Sequence, residues 1–334
     1  MEDQEQPKTE PTNTFSSRID LSKLKEAVLA IKEQLQQVIV GQDDFVELLI
    51  VSLLADGHVL IEGVPGVAKT VTVKLLAKTI DTQFSRLQFT PDLMPSDVLG
   101  TSVLNMKTSE FEFKQGPVFS NLVLIDEINR APAKTQAALF EVMEEKQVTI
   151  DGKQYPMQLP FMVLATQNPI EQEGTYALPE AQLDRFLFKI TVGYPNLEEE
   201  TLIISSHNNR KGTLPENLIK PVISESELLE YRGKIFEIVV EEKIVKYIAE
   251  LITNTRNHPH LYLGGSPRAS IAVLMAAKTF AAIQGRDFVI PEDVKKSLYP
   301  VLRHRIILTP EKEMEGITTD TVIEMIVQSI EIPR

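Results

Sequence analysis

The run Gly63-Val-Pro-Gly-Val-Ala-Lys69-Thr70 places two glycines, a lysine and a hydroxyl in an order that can cradle a polyphosphate. Backbone N–H groups in such a turn point inward, and the start of a following helix adds partial positive charge. Lys69 would reach the β- and γ-phosphates, and the Thr70 hydroxyl would bind Mg²⁺. Gly63, Val64, Pro65, Gly66, Val67 and Ala68 supply the rest of the candidate nucleotide-binding segment. The generic pattern has glycine immediately before the lysine, where this chain has Ala68. If that position needs a positive φ, its Cβ costs roughly 1 kcal/mol.

A second set of groups sits downstream. Asn121-Leu-Val-Leu-Ile-Asp126-Glu127 is an apolar run ending in two carboxylates. Asp126 is placed to hold Mg²⁺ through its water shell, and Glu127 to orient or deprotonate an attacking water. Asn168 follows another apolar run, Pro160 to Thr166, where it could bond both a γ-phosphate and the lytic water. An ordinary Asn-Pro turn is the competing reading. Arg185 closes the short helical stretch that begins at Leu178, and Arg268 lies in the first turn of a helix opened by Ser266 as N-cap and Pro267. A cation so early in a helix opposes the helix dipole, which suggests service to an anion elsewhere.

The elements that must position these groups are legible from pattern. His58 to Glu62 is a short β-prone run, and Val71 to Lys78 has helical spacing, so the glycine-rich turn falls between strand and helix. Uninterrupted apolar runs read as buried parallel strands, whose ligands sit at the carboxyl ends. The acids and Asn168 are delivered to that edge. Two insertions interrupt this plan. Ser102 to Met106 and Glu110 to Lys114 flank the polar turn Lys107-Thr-Ser, and Gln147 to Ile150 and Gln154 to Met157 flank Asp151-Gly152, a strong two-residue hairpin turn. No aromatic residue stands out as the tip of a translocating pore loop.

In this order the phosphate loop, acidic strand, asparagine, and two arginines resemble the AAA+ ATPases. Finer motifs resemble the MoxR family within them: Ile39-Val-Gly41-Gln42, the loop with its Ala68, Asp126-Glu-Ile-Asn-Arg130-Ala-Pro, Ala165-Thr-Gln-Asn-Pro169, Leu178-Pro-Glu-Ala-Gln-Leu-Asp-Arg-Phe186 and Val301-Leu-Arg-His-Arg305. The resemblance covers roughly residues 22 to 332. It implies an α/β AAA+ P-loop NTPase domain, with a five-stranded mainly parallel sheet between helices and two hairpin insertions, followed by an all-α lid. It also implies ATP and Mg²⁺ as cofactors, with Val40 and Gly41 covering the adenine, Asn168 as sensor, Arg185 as finger and Arg268 as second sensor. A homo-oligomeric ring, expected to be a hexamer, follows, because Arg185 lies too far around the sheet to serve its own nucleotide. Arg130 is either a second inter-subunit contact or a salt bridge within the subunit. In relatives of this type such insertions face a central channel, so both hairpins are candidate substrate contacts or edge decorations. The implied role is chaperone-like remodelling or maturation of client or adaptor proteins, often ones with von Willebrand factor A domains.

Composition sets outer limits. The 334 residues carry no cysteine, which excludes disulfides and cysteine-bound metal clusters, and a formal charge of −13 argues against broad nucleic-acid binding. That charge counts against the rival reading of a nucleic-acid motor. A third reading, a nucleotide-gated binding module with little turnover, has no need of Glu127. No apolar run approaches the length that spans a bilayer, and no membrane insertion and a cytoplasmic location are expected. The chain divides into a polar, disordered tail (1–18), the α/β nucleotide-binding domain (19–195), a connector (196–225) and a helical lid (226–334).

Overall fold

Each apolar strand run alternates between two cores. Val59 and Ile61 enter one core and Leu60 the other; Leu122 and Leu124 part from Val123 and Ile125 in the same way, as do Met162 and Leu164 from Val163 and Ala165. A strand that is apolar on both faces must be covered on both, which dictates a sheet between layers of helices. The computed structural model of the protein describes residues 18–168 and 174–333. The tail expected over 1–18 therefore lies, up to residue 17, outside the described residues, as does Pro169.

Helices α1 (Ser22–Gln36) and α2 (Asp43–Leu54) precede β1 (His58–Gly63) and α3 (Lys69–Thr79). Next come β2 (Phe84–Gln88), α4 (Pro95–Leu99) and the hairpin β3 (Gly100–Asn105) with β4 (Glu110–Gln115). β5 (Leu122–Asp126), α5 (Ala133–Glu145), a second hairpin of β6 (Gln147–Ile150) and β7 (Lys153–Pro156), β8 (Met162–Gln167), α6 (Glu180–Leu183) and β9 (Phe186–Val192) follow. The C-terminal part comprises α7 (Leu197–Asn209), α8 (Glu225–Phe236), α9 (Glu242–Asn257), β10 (Leu261–Leu263), α10 (Pro267–Ile283), α11 (Pro291–Leu302), β11 (Ile307–Leu308), α12 (Pro310–Met314) and α13 (Thr319–Ser329).

The sheet order is β2-β5-β8-β1-β9, and every neighbouring pair is parallel. An AAA+ α/β domain followed by a helical lid is thus the architecture. The helical part also contains the antiparallel pair β10–β11, which helical spacing did not signal. Ile244, Ile248, Leu251 and Ile252 of α9 are buried together, and each such side chain contributes roughly 1.5–3 kcal/mol on leaving water. Arg232 of α8 fixes the helical part to the end of α2, donating to the Leu53 carbonyl at 2.7 and 3.0 Å and to Asp56 at 2.6 Å.

Asp151 and Gly152 both adopt left-handed φ, 52° and 75°, as a two-residue turn of this hand requires. The two hairpins pack on each other: the Phe113 and Tyr155 rings lie 4.3 Å apart, and Ser102 donates to Asp151 at 2.5 Å. The sequence showed no prominent aromatic tip, yet Phe111 is 72% exposed beside Met106 at 84%. Phe111 pairs with Leu104 across the first hairpin, on the face that Phe113 shares nearer its base. The two phenylalanines share a face, but only Phe113 meets other rings, Phe119 and Tyr155, and is half-buried, whereas Phe111 lies toward the turn and is bare.

Candidate functional site

The phosphate loop leaves the carboxyl end of β1 and enters α3. Ala68, the residue ahead of α3, has φ 57° and ψ 16°, and Gly66 has φ 88°. Two left-handed residues in one turn explain its sharpness. Lys69 Nζ donates to the Gly63 carbonyl at 2.6 Å, so the lysine folds back over its own loop. Burial lowers the Lys69 pKa, and the nearby charges of Asp126, Glu127 and Glu62 oppose that shift. The lysine and both acids therefore share one electrostatic neighbourhood. Thr70 follows in the first turn of α3.

β5 brings Asp126 and Glu127 to the same edge. Asp126 is 7% exposed and accepts from Thr166 Oγ1 at 3.1 Å and from Arg86 Nε at 2.6 Å. Glu127 takes a left-handed backbone, φ 57°, and its N–H donates to the same Thr166 hydroxyl at 3.0 Å. Its Oε2 lies 3.0 Å from Arg130 Nε, so Arg130 forms an ion pair within the subunit. Asn168 directly follows β8, the strand between β5 and β1, and so stands at the edge that carries the acids and the loop. The Asp126 carboxylate and the Thr70 hydroxyl are the hard oxygen donors that Mg²⁺ takes alongside nucleotide phosphates. Among the described residues, no cluster of three or more His, Cys, Asp or Glu could hold a metal by itself.

Beside the loop lies a cavity of about 580 Å³, lined in part by Ile39, Val40, Val67, Tyr194, Ile203 and Leu214. Its apolar walls suit a flat heteroaromatic base. Val40 lines it, while Gly41 abuts Glu199 of α7. The segment read from sequence as a connector thus supplies one wall of this cavity. Ile203 lines it while its neighbours Leu202 and Ile204 are exposed, and nothing in the local sequence separates the three.

Arg185 and Arg268 sit elsewhere. Parallel pairing sets His58 against Phe186 and Gly63 against Val192, so Arg185, just before β9, is at the opposite edge of the sheet from the phosphate loop. The separation is the length of β9, about 20 Å at roughly 3.3 Å per residue. Arg185 Nη1 donates to the Phe140 carbonyl at 2.9 Å and to Glu144 Oε2 at 3.1 Å. Arg268 Nη2 takes the other oxygen, Glu144 Oε1, at 2.8 Å. Two arginines far apart in sequence therefore meet on one carboxylate of α5. Ser266 does occupy the N-cap position of α10, but it makes no side-chain cap, and its hydroxyl donates instead to Asp184 Oδ2 at 3.0 Å.

The profile of the ATPase family associated with various cellular activities (AAA) matches residues 58–188, and that of the AAA lid domain matches residues 253–326. Chaperone MoxR1 of Mycobacterium tuberculosis is 45% identical over 320 residues, spanning 93% of this chain and 82% of the relative. The chain belongs to the MoxR family of AAA+ ATPases. The uncharacterized protein YeaC of Bacillus subtilis is 46% identical over 301 residues, with 90% of this chain and 93% of the relative covered. Protein MoxR of Methylorubrum extorquens is 28% identical, with 88% and 91% covered. The crystal structure of a candidate ATPase from Cytophaga hutchinsonii superposes with a TM-score of 0.85 at 44% identity, covering 94% of this MoxR-family chain and 96% of that one.

Proposed function

We propose that this protein hydrolyses ATP with Mg²⁺ at the interfaces of a homo-oligomeric ring and uses the cycle to remodel partner proteins. The observation that carries the ring is the placement of Arg185 and Arg268 at the sheet edge opposite Lys69. Phosphoryl transfer gains a large factor from an arginine meeting the developing charge, and neither arginine can cross its own sheet to supply one. Both would serve the neighbour's nucleotide, Arg185 as finger and Arg268 as sensor. Within a subunit, Lys69 and Thr70 would hold the phosphates and Mg²⁺, Asp126 the metal's water shell, and Glu127 and Asn168 the attacking water. The apolar cavity beside Val40 would take the adenine. A chaperone role is supported by the name of the Mycobacterium tuberculosis relative and by the bare Phe111 and Met106 at the hairpin tip, which offer an apolar contact to a partner polypeptide.

Mixed rings test this reading. Arg185→Ala and Glu127→Gln are each expected to lose about a hundredfold or more in turnover while still binding ATP. A mixture contains interfaces where an intact Glu127 faces an intact Arg185, so part of the activity returns. No recovery in rings shown by size to be mixed would refute the trans assignment.

A further inference from the structure

Arg305 is a lid residue that is almost wholly buried, its side chain 3% exposed, and all five of its N–H donors are used. Nε donates to Asp184 Oδ1 at 2.7 Å; Nη2 donates to the Asp184 and Phe186 carbonyls at 3.1 and 2.6 Å; Nη1 donates to the Leu187 and Val301 carbonyls at 3.0 and 2.6 Å. Four of these five bonds fall on residues 184, 186 and 187, which flank Arg185 in the chain. The adjoining lid residues reinforce the grip. His304 Nε2 bonds the Phe186 carbonyl at 2.9 Å, and Ser266 holds the second Asp184 oxygen. The backbone on either side of Arg185 is thus clamped from the lid, whereas the Arg185 side chain reaches outward to the half-exposed Glu144.

We propose that Arg305 is a positioning residue for Arg185, through which the lid sets where the finger stands at the neighbouring active site. The inference rests on Arg185 acting in trans. A planar fork bonded to carbonyls on both sides of one residue fixes that residue's Cα in position and direction, which a single ion pair to Asp184 would not do. Because Arg305 lies just beyond the end of α11 and bonds back to its Val301 carbonyl, rotation of the lid carries the clamp with it. A nucleotide-driven lid movement in one subunit would then shift the arginine presented to the next.

Arg305→Lys keeps a cation beside Asp184 but cannot form the fork. It is expected to retain ATP affinity in its own subunit, measured with a non-hydrolysable analogue, and to lose about tenfold or more in kcat, since an ångström of misplacement carries that scale of loss. Mixing it with Glu127→Gln is decisive. A clamp acting through Arg185 spoils only the neighbour's site, so mixed rings regain activity as the Arg185→Ala mixture does. A merely structural role damages the subunit's own site, and no recovery follows. Recovery with Arg185→Ala but not with Arg305→Lys overturns the clamp and leaves the trans finger standing. Recovery with neither overturns both, and a wild-type kcat for Arg305→Lys overturns the clamp directly. If Arg305→Lys fails to assemble, Ser266→Ala, which removes one lid bond to Asp184, takes its place in the mixture. Its loss in kcat is smaller, and recovery supports the clamp while no recovery overturns it.

Discussion

Arg86 Nε donates to Asp126 Oδ2 across 2.6 Å, so the carboxylate assigned to the metal's water shell is already held by a cation from the edge strand β2. Asp126 keeps its Thr166 bond without that partner. Arg86 is 54% exposed, which limits the pair to the small energies of screened ion pairs.

Arg86→Met should therefore lower the Mg²⁺ concentration giving half-maximal ATP hydrolysis by roughly two- to tenfold, about 0.4–1.4 kcal/mol of relieved competition. Titrating Mg²⁺ at fixed ATP measures it. An increased Mg²⁺ requirement would show that Arg86 supports the site rather than competing with the ion.

Ala68 carries a Cβ at φ 57°, a conformation costing roughly 1–2 kcal/mol for a residue that is not glycine. Glycine would remove that strain while adding about 0.5–1 kcal/mol of chain entropy cost. Ala68→Gly is thus expected to be neutral or stabilising by less than about 1 kcal/mol, read from denaturant melts. Clear destabilisation would mean that the left-handed turn is not the conformation populated in solution.

Acid should weaken the fold through His58. Its Nδ1 accepts from the Val163 N–H at 2.9 Å while Nε2 bonds the Met143 carbonyl at 3.2 Å, so both ring nitrogens are committed to the neutral form. Burial pushes its pKa from the usual 6.5 down to about 4. A depressed histidine pKa means that the unfolded chain binds the extra proton first. The stabilisation is complete above about pH 6.5 and is lost as pH falls from there toward 4, at up to about 1.4 kcal/mol per pH unit. His304, buried and lowered in the same direction, adds to the slope. Unfolding free energies between pH 7 and 5 should show this, and His58→Gln should flatten the curve. An unchanged slope in that variant would remove His58 from the account.

Much of the site was legible because each group lies within a few residues of a strand end. Lys69, Thr70, Asp126, Glu127 and Asn168 are fixed by the strands that precede them, and parallel pairing alone carries them to one edge. Asp151-Gly152 was equally plain, since a local turn needs local residues. What the sequence hid depends on contacts between distant segments. Glu144 is one of several acids at the end of an amphipathic helix, and nothing in its surroundings announces that it receives both Arg185 and Arg268. Arg86 lies in a short strand run with nothing local to mark its partner, and Ile203 and Leu214, which wall the cavity, lie in the segment read as a connector. Ser266 was recognised as a cap by position, but Asp184 offered its hydroxyl a charged partner, and that stronger acceptor won.

The clamp also changes what the sheet can recruit. β9 is an outermost strand, and outermost strands invite pairing with any extended segment that finds their unpaired backbone groups. At its beginning the carbonyls of Phe186 and Leu187 are already taken by Arg305 and His304. A foreign strand docking there would have to strip a guanidinium whose every donor is satisfied. The same residues that brace the lid therefore also occupy this end of the outermost strand, leaving fewer free backbone acceptors for a docking strand.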